Sequence, residues 1–247
     1  MRIRLIVEYD GTNYAGWQRQ KNGYSVQQAL EEAFKKASGE AVSITGAGRT
    51  DAGVHALAQV AHLDTACTIP PEKISYAMNT FLPYDIRVKH SERADDRFHA
   101  RFDARGKTYR YTLYRAPHPS AVYRNLSWHL SGPLDVAAMR AAAACLIGEQ
   151  DFAAFCAAGS EVKDTVRTVY ALDISEDGPF LYINIRGSGF LYHMVRIIAG
   201  TLADVGLGRI APERVKEILD GKSRLAASAT APAQGLMLVR VYYDSIY

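Results

Sequence analysis

Residues 46 to 56, GAGRTDAGVHA, place one carboxylate, Asp51, two positions after Arg49 and among Gly46, Gly48 and Gly53. The other side chains of the stretch are mostly small. A phosphate-binding loop would need a lysine that is missing here, and a dinucleotide fingerprint would need a third glycine where Asp51 stands. A carboxylate at the centre of either would repel the anion. An acid held between cations suits the residues better. An adjacent guanidinium favours an ionised carboxylate, the state of a nucleophile or general base rather than a general acid. Glycines around it let the backbone approach a bulky substrate closely. The competing reading is an aspartate that accepts loop hydrogen bonds beside a structural arginine.

The charge of the chain is unevenly spread. The net charge is +3, yet Arg87 to Arg124 holds ten Lys or Arg against four acids, a local excess of six. Arginine dominates the basic residues, which favours forked contacts to phosphate. The same segment carries Phe98, Phe102, Tyr109, Tyr111, Tyr114 and Tyr123. Cations interleaved with aromatics suit a partner with both phosphates and exposed bases. A solvated strand pair with a half-buried aromatic face is the alternative.

The elements that must position these residues follow from periodicity. RIRLIVEY, residues 2 to 9, alternates with Ile3, Leu5, Val7 and Tyr9 on one face, as a half-buried strand does. Ser25 and Gln28 form an S-x-x-Q capping box ahead of a helical stripe of Val26, Ala29, Leu30, Ala33, Phe34 and Ala37. AVSITGAG and HALAQVAHLDT read as strands on either side of Asp51, which puts the acid in a loop between them. A helix is expected over PPEKISYAMNTFLP, and strands over IRVKHSERA and KTYRYTLYRA. Further on, DVAAMRAAAACLIG, FLYHMVRIIAGTLADVG (190 to 206) and APERVKEILDG read as helices. TVRTVYALDISED, FLYINIRGSG and LMLVRVYY read as strands. The pattern predicts an α+β fold with mainly antiparallel sheets flanked by helices. It divides into an N-terminal half, residues 1–104, and a C-terminal half, residues 105–247, with no sequence repeat between them.

Several function classes are disfavoured. Cys67, Cys145 and Cys156 make no CxxC pair, and the seven histidines show no ligand spacing, so neither a disulfide scaffold nor a metal enzyme is expected. No apolar run is long enough for a membrane span. The N-terminus, MRIRLIVEYDG, is interrupted by charge and does not read as a signal peptide, which makes the cytoplasm the expected location.

GAGRTDAGVHALAQVAH resembles the signature of the tRNA pseudouridine synthase A (TruA) family. YDGTNYAGWQRQ with SVQQALEEAF, FHARFDARGKTYRYTLY, GEQDFAAF, RTV and GSGFLYHMVRIIAGTL agree with it in the same order, from Val7 to about Val205. The resemblance implies an isomerase that converts uridine to pseudouridine in the anticodon arm of tRNA, at tRNA positions 38, 39 and 40, without a cofactor or metal. It implies two similar halves with an active-site cleft between them, and a homodimer with one tRNA bridging both subunits. It makes Asp51 the nucleophile, Tyr109 the residue that stacks on the target base, and Arg196 the cation that pairs with the aspartate. Arg49 would help extrude the target nucleotide. Lys107, Gln18 and Arg19, with Trp17 beside them, are further candidates for substrate contacts, and His55 and Gln59 are expected to be structural.

Two other readings stand beside this one. A non-catalytic RNA-binding protein would use the basic, aromatic segment but leave Asp51 and Arg196 unexplained. A hydrolase acting on a sugar would need a second carboxylate. Asp10, Asp103 and Asp151 are available for that role.

Overall fold

A computed structural model describes residues 1–159 and 162–244. It divides into two compact units, Met1–Arg105 with Met237–Tyr247, and Gly106–Leu236.

The first unit begins with β1 (Arg2–Tyr9), whose alternation buries Ile3, Leu5, Val7 and Tyr9. Helix α1 (Val26–Ser38) follows, burying Val26, Ala29, Leu30, Ala33 and Phe34. Ser25 Oγ accepts the Gln28 amide at 3.2 Å, but the Gln28 side chain donates onward to Glu32 at 2.9 Å. The expected box therefore forms in one direction only. Gly39, at φ 78°, closes the helix in the left-handed region that favours glycine. Strand β2 (Thr45–Gly46) pairs with β3 (His55–Asp64), and it is much shorter than the strand expected over 41–48. After a 3₁₀ turn at Pro71–Lys73 come α2 (Ile74–Asn79) and β4 (Ile86–Arg93). β1 lies between β3 and β4, antiparallel to both. β4 ends the sheet, and the Asn79 carboxamide makes two 2.9 Å bonds to the Val88 backbone there. One side chain thus satisfies edge groups that would otherwise invite another strand.

The second unit opens with β5 (Gly106–Arg115), joined in parallel by the short β6 (Trp128–Leu130). α3 (Val136–Ala144) is capped by Asp135, and β7 (Gly148–Asp151), β8 (Val166–Asp177) and β9 (Phe180–Gly187) complete an antiparallel sheet ordered β5-β9-β8-β7. Next come α4 (Met194–Gly206) and α5 (Arg214–Gly221). α4 starts later than the expected residue 190. His193 sits at φ 59°, and the Met194 amide bonds Leu191 in a tight turn, so the chain becomes helical only after them. Phe190 instead lays its ring against Tyr109.

The last strand, β10 (Leu236–Tyr242), pairs in parallel with β3 through Met237 with His55 and Leu238 with Ala56. The Arg105 amide bonds the Tyr242 carbonyl at 2.8 Å, and the Tyr243 hydroxyl bonds the Ala100 carbonyl at 2.7 Å. A division that leaves all of 105–247 in the second half therefore needs correction, because the chain returns to the first unit at Met237. Pairing between residues so far apart in sequence leaves no local signal. Each unit is α+β and mainly antiparallel, with the β3–β10 and β5–β6 pairs parallel. No helix among the described residues is long and apolar enough to cross a membrane.

One buried histidine ties the last loop of the first unit to its sheet. His62 Nδ1 accepts the Ala100 amide at 3.1 Å, which requires a neutral ring nitrogen there. Burial pushes the His62 pKa below its ordinary 6.5, and neighbouring His99 and Arg2 push the same way against Asp64 and Asp103. A depressed histidine pKa means that the unfolded chain binds the proton more readily. Its stabilisation is complete above pH 6.5 and is lost as the pH falls below it. Thermal melts between pH 7.5 and 5.5 should show the midpoint falling with acid, and His62→Gln should flatten that fall.

Candidate active site

The loop between β2 and β3 is fixed by hydrogen bonds of its own. The Ala47 amide bonds the Val60 carbonyl at 2.7 Å, and Gln59 Nε2 donates to the Gly48 carbonyl at 2.9 Å. Thr50 is held twice. Its carbonyl accepts the Trp17 amide at 3.0 Å, and its hydroxyl meets the Tyr9 hydroxyl at 2.8 Å inside the protein. Burial pushes the Tyr9 pKa far up, outweighing the bond to Thr50, so this phenol stays protonated. A turn then closes from the Asp51 carbonyl to the Val54 amide at 3.1 Å. Its third residue, Gly53, sits at φ 78°, where glycine carries no steric penalty. Asp51 is partly exposed between these anchors, and Arg49 is exposed.

The glycines divide their labour differently from the expectation. A Cβ on Gly46 would lie 2.5 Å from the Trp17 indole, so this glycine makes room for a tryptophan rather than for a substrate. Gly16, at φ +90°, brings the opposite segment so close that a Cβ there would sit 2.5 Å from the Thr50 carbonyl. Trp17 is 1% exposed and packs 6.0 Å from the Tyr9 ring, which removes it as a surface contact. Gln18 and Arg19 are exposed but directed to α1: Gln18 bonds Gln27 at 2.8 Å, and Arg19 pairs with Glu31 at 2.7 Å. His55 and Gln59 are both buried and hold backbone: His55 Nδ1 accepts the Gly11 amide at 3.0 Å, and Gln59 makes the bond to Gly48 given above.

The second unit carries the remaining candidates. Tyr109 on β5 faces inward, 8% exposed, its ring edge-on to Phe190 at 5.3 Å. Lys107 lies two residues earlier, opposite Gly187. Arg196 is in the first turn of α4 and partly buried. Its Nε donates to the Ala231 carbonyl at 2.8 Å, and its own carbonyl accepts the Ala231 amide at 3.1 Å. Gly200, one turn on, lets the Ala229 carbonyl press against the helix. The Tyr111 hydroxyl bonds the Pro232 carbonyl at 2.8 Å beneath this segment. Burial pushes the Tyr111 pKa far up, against the nearby Arg196 charge. The residues from 229 to 232 are therefore part of the arginine's setting. They lack polar side chains apart from Thr230, so type and spacing gave no signal of that role.

The carboxylates considered for a second acid are engaged elsewhere. Asp10 accepts the Thr12 amide and hydroxyl, and Asp103 accepts the His99 amide. Asp151 binds Lys222 at 2.7 Å and the Thr165 hydroxyl, which together hold its carboxyl below the usual range. Among the described residues, no three His, Cys, Asp or Glu side chains are placed to hold a metal ion.

The anchored loop yields a prediction. Gly16→Ala forces a side chain into the left-handed region and into the Thr50 carbonyl, and should cost roughly 2 kcal/mol or more. The thermal midpoint should then fall by roughly 4–8 °C. An unchanged midpoint would mean that the loop is not clamped as described.

A family model described as tRNA pseudouridine synthase matches residues 5–103 and 142–244. The matched spans contain Arg49, Asp51 and Arg196 and leave out Lys107 and Tyr109. The tRNA pseudouridine synthase A of Ruminiclostridium cellulolyticum is 51% identical over 244 residues, 98% of this chain and 99% of that protein. The protein of the same name from Bacillus subtilis (strain 168) is 50% identical over 247 residues, 99% and 100% of the two chains. A crystal structure of a Cbf5-Nop10-Gar1 complex overlaps more distantly, at TM-score 0.36 and 14% identity over 96% of this chain and 48% of that one. With a family model covering most of its length and near-full-length relatives at half identity, the chain belongs to the tRNA pseudouridine synthase A family, whose reaction is an isomerisation.

Proposed function

We propose that the chain isomerises uridines of the tRNA anticodon arm, at positions 38, 39 and 40, with Asp51 as the reacting carboxylate. The observation that carries this reading is the clamped loop around Asp51. A carboxylate on a pre-organised backbone loses little freedom when a base is presented to it. In the isomerisation the C1′–N1 bond breaks and a C1′–C5 bond forms. The hydrogen at C5 leaves as a proton, and N1 of the turned base takes one up. Asp51 attacks C1′ or C6, or acts as a base on a ribose proton; each route ends in the same product and needs no redox partner.

The other residues have assigned tasks. Arg49, exposed at the loop, helps extrude the target nucleotide and fills its place, offsetting part of the few kcal/mol that unstacking costs. Tyr109 holds the detached uracil by stacking, which retains the base without blocking its rotation. Arg196 pairs with the Asp51 carboxylate. An arginine in the first turn of α4 adds to the positive end of the helix, a setting that calls for an anion. Lys107 contributes substrate contacts, and so do Gln18 and Arg19, both of which remain exposed while bonded to α1. Three neighbouring target sites served by one pocket imply recognition by shape and phosphate rather than by base edges. The active form is a homodimer in the cytoplasm, with one tRNA bridging both subunits.

The test uses an unmodified tRNA transcript labelled with tritium at uracil C5, because that hydrogen must leave when C5 becomes the glycosidic carbon. Wild-type protein should release tritium, and Asp51→Asn should release none while still binding the transcript. Release by Asp51→Asn at the wild-type rate would exclude the carboxylate. Arg196→Lys should lower kcat by roughly tenfold or more, since a point charge replaces a forked donor, while the Kd for tRNA changes little.

A further inference from the structure

The segment FHARFDARGKTYRYTLY enters the proposed function only through Lys107 and Tyr109. Its first residues do something that neither explains. From Phe98 to Asp103 every backbone amide is bonded: Phe98 to the Asp95 carbonyl, His99 to Asp103 Oδ2, and Ala100 to His62 Nδ1. Arg101 and Phe102 both bond His99 Nδ1, at 3.1 and 3.2 Å, and Asp103 bonds the His99 carbonyl. The Tyr243 hydroxyl fixes the Ala100 carbonyl as well. So short an exposed turn does not need this many restraints to change direction.

What the restraints hold in place is an aromatic ring in water. Phe102 is 76% exposed. The His99 imidazole stacks under it at 4.2 Å, with the two planes 28° apart. One face is thus backed by the imidazole, while most of the residue stays in water. The Arg101 guanidinium lies over the ring, 5.8 Å from its centre, and the Arg97 side chain, 94% exposed, reaches Asp95 at 3.5 Å. A rigid, backed phenyl ring flanked by exposed arginines has the make-up of a stacking platform for a base with phosphates on either side.

We infer that Phe102, supported by His99, is a docking platform for an unpaired nucleobase of the tRNA substrate, with Arg97 and Arg101 contacting its flanking phosphates. The inference rests on the RNA-modifying reading above. It concerns a base held for binding, not the base that reacts. Phosphate-bearing RNA is favoured over a protein partner because the two side chains beside the ring, Arg97 and Arg101, are exposed guanidiniums whose forked donors suit phosphate. Stacking also asks nothing of base identity, which suits an enzyme that reads shape.

Equilibrium binding of an unmodified tRNA transcript tests the inference directly. Phe102→Ala should weaken binding by about tenfold, the scale of one lost base–aromatic stack. Phe102→Leu, which keeps apolar bulk without a flat face, should bind as weakly as alanine, and Phe102→Tyr should bind as wild type. Thermal midpoints should be unchanged in all three, because the side chain is exposed. Binding by Phe102→Ala equal to wild type overturns the platform, and so does rescue by leucine as complete as rescue by tyrosine. Tritium release by the wild type is read in parallel. Its absence counts against the proposed reaction, whereas the binding series still decides the platform.

Discussion

The first unit is organised around the fixation of Thr50. Its carbonyl is held by the Trp17 amide and its hydroxyl by the buried Tyr9 phenol, so the residue before Asp51 is tied to both the turn ahead of α1 and the strand β1. Removing either tie would leave a buried polar group without a partner, which costs more than the bond itself contributes. Much else in the unit serves this arrangement. Gly46 gives up its side chain to make room for the indole, and Gly16 adopts a left-handed conformation so that its segment can approach the loop. The capped helix α1 then fixes the Trp17 segment through the Gln27 amide, which bonds the Trp17 carbonyl at 3.0 Å.

The second unit solves a different problem: keeping a guanidinium partly buried on an apolar helix. The cost of removing that charge from water is high unless its donors are met. The Ala231 carbonyl meets one of them, and the close packing of Gly200 against Ala229 makes this approach possible. Tyr111 supports the same segment from below, with Gly235 leaving space for its ring. The Ala231 contacts are made by backbone groups. Substitution at 229 to 232 would therefore act on Arg196 through main-chain position.

Charge and aromatic content connect the two units to the family's RNA chemistry at a coarser level. The basic excess from Arg87 to Arg124 runs through β4, the His62-anchored turn and β5, elements of both units. Several of its aromatics are structural. Tyr111 is fully buried, and Tyr114 packs with Phe180 and Tyr123. Phe102 stands apart as an exposed ring on a fixed backbone. Composition could nominate the segment, but it could not separate the aromatics that build the sheet from those free to meet a partner.

Sequence by itself determined the local features. The alternation of Ile3, Leu5, Val7 and Tyr9, the stripe on α1 and the loop position of Asp51 follow from two periodicities and from glycine placement, because side-chain direction in strands and helices is set by the backbone. The family was legible in separated motifs, since chemistry restricts residue types more tightly than packing does. Tertiary structure decided what depends on partners distant in sequence. It returned β10 to the first unit, delayed α4 until after the left-handed His193, and shortened β2. It gave Gly46 to Trp17, buried that tryptophan, and brought Ala231 to Arg196. Each of these rests on a hydrogen bond, a steric approach or a strand register that forms only once the chain has closed on itself.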